Sequence, residues 1–160
     1  IEAMKDSRVG SMGVQSFVVI LILQLAAIMK LGFYAPFAFP LVAFWGRISQ
    51  LFAIDNYEYI LKKESGSTHK KHWKGISKEI RPSLITFCFT ILLFLISDNL
   101  SLSNSFLLIL CILFGIVTSI LIPYIINKSL GGHSGDTYGS SLVITETTNL
   151  LLLSIILVPS

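Results

Sequence analysis

Residues 106–127 read FLLILCILFGIVTSILIPYIIN, and this stretch decides the fold. No charged side chain interrupts it before Lys128. Its length matches the roughly 20 apolar residues, within a range of about 17 to 25, that an α-helix needs to cross a bilayer. The run is continuously apolar rather than alternating, so it does not read as a half-buried strand. An open sheet edge would also leave its backbone groups without partners in lipid. The stretch reads as a transmembrane helix.

Working outward, runs of the same kind occupy residues 14–29, 33–53, 84–97 and 141–158. The run at 84–97 is short for a full crossing and needs flanking polar residues or shielding by other helices. The run at 33–53 holds Pro36 and Pro40, each lacking a backbone donor, which predicts a kinked or late-starting helix. There is no internal repeat and no low-complexity segment. The expected architecture is an all-α, polytopic membrane helix bundle with about five transmembrane helices, forming one transmembrane domain over residues 1–160.

Composition agrees. The chain is 53% hydrophobic and 13% charged, with a mean hydropathy of +0.77, whereas soluble domains carry about a quarter charged residues. Too few polar residues remain to coat a water-soluble core. The chain opens at Ile1 in the charged run 2–8, without the basic stretch, apolar core and small-residue cleavage site of a signal peptide. This abrupt start reads as the interior of a longer protein, of which these residues are expected to be the C-terminal portion. Cys88 and Cys111 both sit in apolar runs with no His or Cys at metal-ligand spacing, and read as packing residues.

Five crossings put the segments 1–13, 56–82 and 128–140 on one side. Lys5, Arg8, Arg47, Lys62, Lys63, Lys70, Lys71, Lys74, Lys78, Arg81 and Lys128 fall on or near it, and Lys30 alone lies near the other. Cytoplasmic loops are the ones enriched in Lys and Arg, so these loops are expected to face the cytoplasm from the inner membrane. The lysines of the middle loop, with His69, His72, Tyr57, Tyr59 and Trp73 among them, read most simply as a positive-inside segment on anionic head groups. His69 and His72 without a third ligand are a weak metal signal.

Two loops carry residues suited to chemistry. Met4-Lys5-Asp6-Ser7-Arg8-Val9-Gly10 places an acid beside an arginine, Asp6 suiting a hard cation and Arg8 a bidentate phosphate clamp. A solvated helix end is the plainer reading, with Gly10 and Gly13 allowing close helix approach. In Leu130-Gly131-Gly132-His133-Ser134-Gly135-Asp136-Thr137-Tyr138-Gly139, four glycines free the backbone to present N–H groups ahead of a helix start, which favours anions. Asp136 by itself would repel phosphate. It makes sense there if a divalent cation bridges it to phosphate oxygens, as Mg²⁺ does with one or two carboxylates plus substrate; otherwise the loop is a flexible turn.

Glu146 lies within the last apolar run, flanked by threonines and followed by Asn149. An ionisable group at such depth is costly and marks a functional site by default. At a rise of about 1.5 Å per residue it stands about 15 Å from Asp136, too far to share a metal. Contact with substrate, or support through hydroxyls and Asn149, fits it equally.

Taken together, Lys5-Asp6-Ser7-Arg8-Val9-Gly10 and Gly131-Gly132-His133-Ser134-Gly135-Asp136-Thr137-Tyr138-Gly139 resemble the cobalamin synthase family, the adenosylcobinamide-GDP ribazoletransferases. Their order, their separation and the apolar runs between them extend the resemblance over essentially the whole chain. It implies a Mg²⁺-dependent membrane transferase that joins adenosylcobinamide-GDP to α-ribazole, or its 5′-phosphate, to give adenosylcobalamin or its 5′-phosphate and GMP. By the same resemblance Asp6, Arg8 and Asp136 would be catalytic, with Asp6 and Asp136 as metal ligands. Ser7, Gly10, Gly131, Gly132, Ser134, Gly135, Gly139 and Glu146 would meet substrate. An oligomer is compatible with it, and nucleic acid is not an expected partner.

Three departures stand against the family pattern. Its aspartate-rich stretch upstream of the first motif is absent from these residues. The middle loop has Tyr59-Ile60-Leu61-Lys62 where a Tyr-Ala-Arg-like segment is usual, and Val143 stands where the last helix tends to carry a second glutamate. Two rivals share the general appearance. A CDP-alcohol phosphotransferase would show a run of aspartates, and a membrane transporter would line a path with polar groups near the bilayer centre.

Overall fold

The computed structural model describes residues 10–60, 73–96 and 102–158. They form six α-helices in chain order: α1 (Ser11–Leu31), α2 (Ala35–Asn56), a single-turn α3 (Ile76–Glu79), α4 (Arg81–Ile96), α5 (Leu102–Leu130) and α6 (Gly135–Ile156). A 3-10 turn, Gly32–Tyr34, joins α1 to α2. No strand occurs among the described residues beyond one isolated bridge. The all-α membrane bundle is the fold observed: three helical stretches are long and apolar enough to cross a membrane, Ser11–Asn56, Ile109–Leu130 and Gly135–Ile156, and Arg81–Leu93 is a shorter apolar helix.

The stretch Ser11–Asn56 is not one straight rod. Gln24 in α1 donates to Thr147 of α6, and Gly46 in α2 lies against Glu146 of α6. Residues 24 and 46 would stand about 33 Å apart on a continuous helix, so the chain folds back between them. Gly32, at φ +50°, supplies the backbone conformation that other residues resist. The late helix start expected from the prolines is found: Pro36 occupies the first turn of α2, where a missing N–H costs nothing, and Pro40 falls inside the helix.

The helices are arranged inside-out relative to a soluble bundle. Large apolar side chains lie exposed along α1, α4 and α5, among them Phe17, Ile22, Ile85, Phe89, Ile109 and Leu113. In contrast α6, rich in Ser and Thr, is central, packing against α1, α2 and α5. Its Ser141, Thr145, Thr147, Asn149 and Ser154 are buried. Each surrounding helix is tied to it by a hydrogen bond: Gln24 Nε2 to Thr147 Oγ1 at 2.9 Å, Ser49 Oγ to the Ser141 carbonyl at 3.4 Å, and Asn149 Nδ2 to Thr118 Oγ1 of α5 at 2.8 Å. With lipid as apolar as the side chains, such bonds and close backbone approach do the work of holding helices together. Gly46 and Gly115 provide that approach, the first seating Glu146 and the second the indole of Trp45.

Candidate functional site at the loop end of the bundle

The glycine loop is built by three residues with separate tasks. Gly131, at φ +74°, ends α5 in a left-handed cap and donates its N–H to the Asn127 carbonyl at 2.8 Å. Gly132, at φ +152°, has no room for a side chain, because a Cβ would fall 2.7 Å from Ile60 Cγ1 and 2.8 Å from the Glu58 carbonyl oxygen. Ser134 caps α6, its hydroxyl accepting from the Thr137 N–H at 3.4 Å, while Thr137 Oγ1 accepts from the Ser134 N–H at 2.7 Å.

Between them His133 is wholly buried and fastens three segments. Its N–H donates to the Glu58 carbonyl and its own carbonyl accepts from the Ile60 N–H, both at 2.9 Å. This short bridge, with Tyr59 opposite His133, ties the end of α2 to the loop. The ring lies between Tyr57 and Tyr138, with centroid separations of 5.2 and 5.4 Å. Nε2 sits 3.1 Å from the Pro123 carbonyl, which can only accept, so Nε2 carries a proton; Nδ1 sits 3.1 Å from Thr137 Oγ1. Burial pulls the imidazole below its ordinary 6.5, against the smaller opposing effect of the Pro123 bond, which leaves the ring neutral at pH 7.

The same end gathers the other polar segments. Trp73 Nε1 donates to Asp55 at 2.9 Å, and Tyr57, Tyr59 and Trp73 pack on Ala53, Ile54 and Tyr138. The phenol oxygen of Tyr138 is buried with no hydrogen-bond partner among the described residues. The start of α1 is at this level too, because Gln24 and Thr147, which touch, lie nearly equal distances along α1 and α6 from Ser11 and Gly135.

Of the residues singled out in the sequence, Gly131, Gly135 and Asp136 are exposed at this end and Gly139 is half-buried. A Cβ at Gly10, Gly131, Gly135 or Gly139 would meet nothing within 4 Å. Asp136 stands in the first turn of α6, beside backbone N–H groups that the helix itself leaves unpaired. Gly132 and Ser134 are buried, their space and hydroxyl taken by the Glu58–Ile60 backbone and the helix cap. Asp6, Ser7 and Arg8 lie outside the described residues, as do Lys62, Lys63, His69, Lys70, Lys71 and His72. No group of three or more His, Cys, Asp or Glu placed to hold a metal occurs among the described residues.

Glu146 belongs to a different level. The helix from Gly135 to Ile156 is unbroken, so Glu146 lies about 15 Å from Asp136 along it. Asn149 does not support it: its amide donates to Thr118 Oγ1 and the Thr145 carbonyl. At that level α2 contributes Arg47, whose Nη1 donates to Gln50 Oε1 at 2.7 Å. Sequence reasoning places Arg47 among the loop-side cations only, although the rule that singles out Glu146, an ionisable group within an apolar run, applies to it equally. Cys88 and Cys111 are both free, the first exposed and the second buried in the core.

The model of the cobalamin-5-phosphate synthase family matches residues 1–154. The chain is 44% identical over 158 residues to an adenosylcobinamide-GDP ribazoletransferase of Prochlorococcus marinus, covering 98% of this chain and 61% of that protein. It is 35% identical over 159 residues to the protein of the same name from another strain of that organism, MIT 9303, again covering 98% and 61%. With that of Trichormus variabilis it shares 30% identity over 156 residues, covering 98% and 60%. The chain thus spans about three fifths of the length of the curated relatives it matches. No solved structure matches it.

Proposed function

The chain belongs to the cobalamin-5-phosphate synthase family, and we propose that it forms the C-terminal part of a membrane transferase joining adenosylcobinamide-GDP to α-ribazole or α-ribazole 5′-phosphate. The observation that carries this reading is the meeting, at one end of an apolar bundle, of the glycine loop with Asp136 and the end of α2 through the His133 bridge. The names of the relatives supply the reaction.

In that reaction an acceptor hydroxyl oxygen bonds to the phosphorus on the corrinoid side of the pyrophosphate. The bond from that phosphorus to the bridging oxygen breaks, GMP leaves with the bridging oxygen, and the hydroxyl proton is released. The protein's part is alignment and neutralisation of charge on the pyrophosphate. The open Gly131, Gly135 and Gly139 leave the backbone accessible to phosphate oxygens, and the first turn of α6 adds unpaired N–H donors. The exposed Asp136 fits Mg²⁺, which binds through one or two carboxylates plus substrate oxygens. Asp6 and Arg8, with Ser7 and Gly10, immediately precede α1, which starts at the same level, and complete the site as second ligand and phosphate clamp.

The reading includes five crossings, by α1, α2, α4, α5 and α6. Its loop end faces the cytoplasm from the inner membrane, in keeping with the basic residues there. GMP, being water-soluble, departs from that face while the helices hold the site.

The test is GMP release from adenosylcobinamide-GDP by the full-length protein in liposomes, with α-ribazole or its 5′-phosphate as acceptor. Acceptor-dependent GMP release that stops when Mg²⁺ is chelated is expected. Absence of release with either acceptor in the presence of Mg²⁺ would overturn the reading.

A further inference from the structure

Arg47 stands nine residues before α2 ends at Asn56, about 14 Å from that end. A guanidinium held inside a membrane-spanning helix is costly unless its donors are met. It has five N–H donors, and the one bond it makes among the described residues is to Gln50 Oε1. No carboxylate pairs with it among the described residues, even though its neighbour Gly46 lies against Glu146.

Its surroundings close toward the loop end. Ala43, Arg47, Gln50 and Ile54 follow the i, i+4, i+7, i+11 spacing of a single helix face. Along it Ala43 is exposed, Arg47 and Gln50 are half-buried, and Ile54 is buried beneath Tyr138. The face therefore closes as it approaches the glycine loop, with the polar pair just inside. The bond to Gln50 draws the guanidinium toward that end, to within about 9 Å of the helix terminus. A fixed, planar, under-used guanidinium in a partly dry setting is suited to a bidentate phosphate.

We infer that Arg47, oriented by Gln50, is a substrate-binding residue that takes a phosphate group of one of the two substrates inside the bundle, below the face that carries Asp136. The inference rests on the proposed reaction for the identity of those substrates. Two phosphates have the required chemistry, the donor's pyrophosphate and the acceptor's 5′-phosphate.

The test uses the full-length protein in liposomes and separates these sources. Arg47→Gln should raise KM tenfold or more, about 1.4 kcal/mol, for adenosylcobinamide-GDP alone or for α-ribazole 5′-phosphate alone. In the second case unphosphorylated α-ribazole is used as well as before. Arg47→Lys, keeping the charge without the fork, should recover part of the loss. Michaelis constants all within twofold of wild type would overturn the inference. So would an equal rise in all of them together with a lowered unfolding temperature, the mark of a structural arginine. If wild-type protein releases no GMP, the proposed reaction fails, and direct binding of GMP and of α-ribazole 5′-phosphate decides the arginine separately. Binding of one of them that Arg47→Gln weakens tenfold supports the residue, and equal binding by both proteins overturns it.

Discussion

His133 Nε2 lies 3.1 Å from the carbonyl oxygen of Pro123, across the turn between α5 and α6. The same ring reaches Thr137 in α6, and its backbone holds Glu58 and Ile60 beyond the end of α2. One buried residue, through its ring and its backbone, therefore fixes the spacing of three helices at the end that carries the candidate site. His133→Phe keeps the stacking on Tyr57 and Tyr138 but removes the ring's hydrogen bonds to Pro123 and Thr137, a loss of about 0.5–1.5 kcal/mol for each. Thermal unfolding in detergent should show it, and an unchanged midpoint would mean that the stacking alone holds the loop.

The same residue gives a pH dependence. Its folded value is below 6.5, so the unfolded chain takes up the proton first as pH falls. The stabilisation is full above about pH 6.5 and is lost as pH drops from there toward the folded value. His133→Phe should remove this component, so the stabilities of variant and wild type converge through that window. Parallel curves across it would show that His133 does not titrate as argued.

Gly132 and Gly135 should part company when each is changed to alanine. At Gly132 a methyl group meets the Glu58 carbonyl and Ile60 on a backbone at φ +152°, whereas at Gly135 it meets nothing. Gly132→Ala should lower the unfolding temperature by several degrees and uncouple the loop from α2. Gly135→Ala should not lower stability and Gly139→Ala, inside α6, should raise it by about 0.5–1 kcal/mol, so any drop in turnover they cause reports on substrate approach. Equal destabilisation at all three positions would contradict the separation of tasks.

These positions also show where the sequence is legible. The apolar runs locate the helices because lipid imposes length and hydrophobicity on each of them directly. Their ends are less visible: α6 starts at Gly135 rather than 141, since its first turns are polar and its cap pairs Ser134 with Thr137, not with the Glu or Gln of the usual capping box. By sequence His133 is a loop histidine beside a polar serine. Its burial depends on contacts with Pro123, ten residues away, and with Tyr57, much farther still, and no local pattern encodes those. Arg47 is visible by the rule applied to Glu146 but disappears into a charge count.

Asn149 is buried and its amide joins α6 to Thr118 of α5. Interhelical bonds of this kind within membranes contribute about 0.6 kcal/mol on average and up to about 1.7. Asn149→Ala should destabilise by that order, and a cycle with Thr118→Ala should show coupling between the two. Additive losses in that cycle would assign the effect to packing instead.

Asp136 tests the metal reading most directly, because little else depends on it. It is exposed in the first turn of α6, and the cap of that helix is formed by Ser134 and Thr137. A carboxylate near a helix N-terminus adds about 0.3–1 kcal/mol, so Asp136→Asn should cost at most that in stability. If the carboxylate bridges Mg²⁺ to phosphate oxygens, the same change should lower GMP release by about two orders of magnitude. It should also raise the Mg²⁺ concentration needed for half-maximal rate. A variant with wild-type turnover and the wild-type Mg²⁺ requirement would remove Asp136 from the site, while one whose rate falls with its metal requirement unchanged would leave it a role in orienting substrate alone.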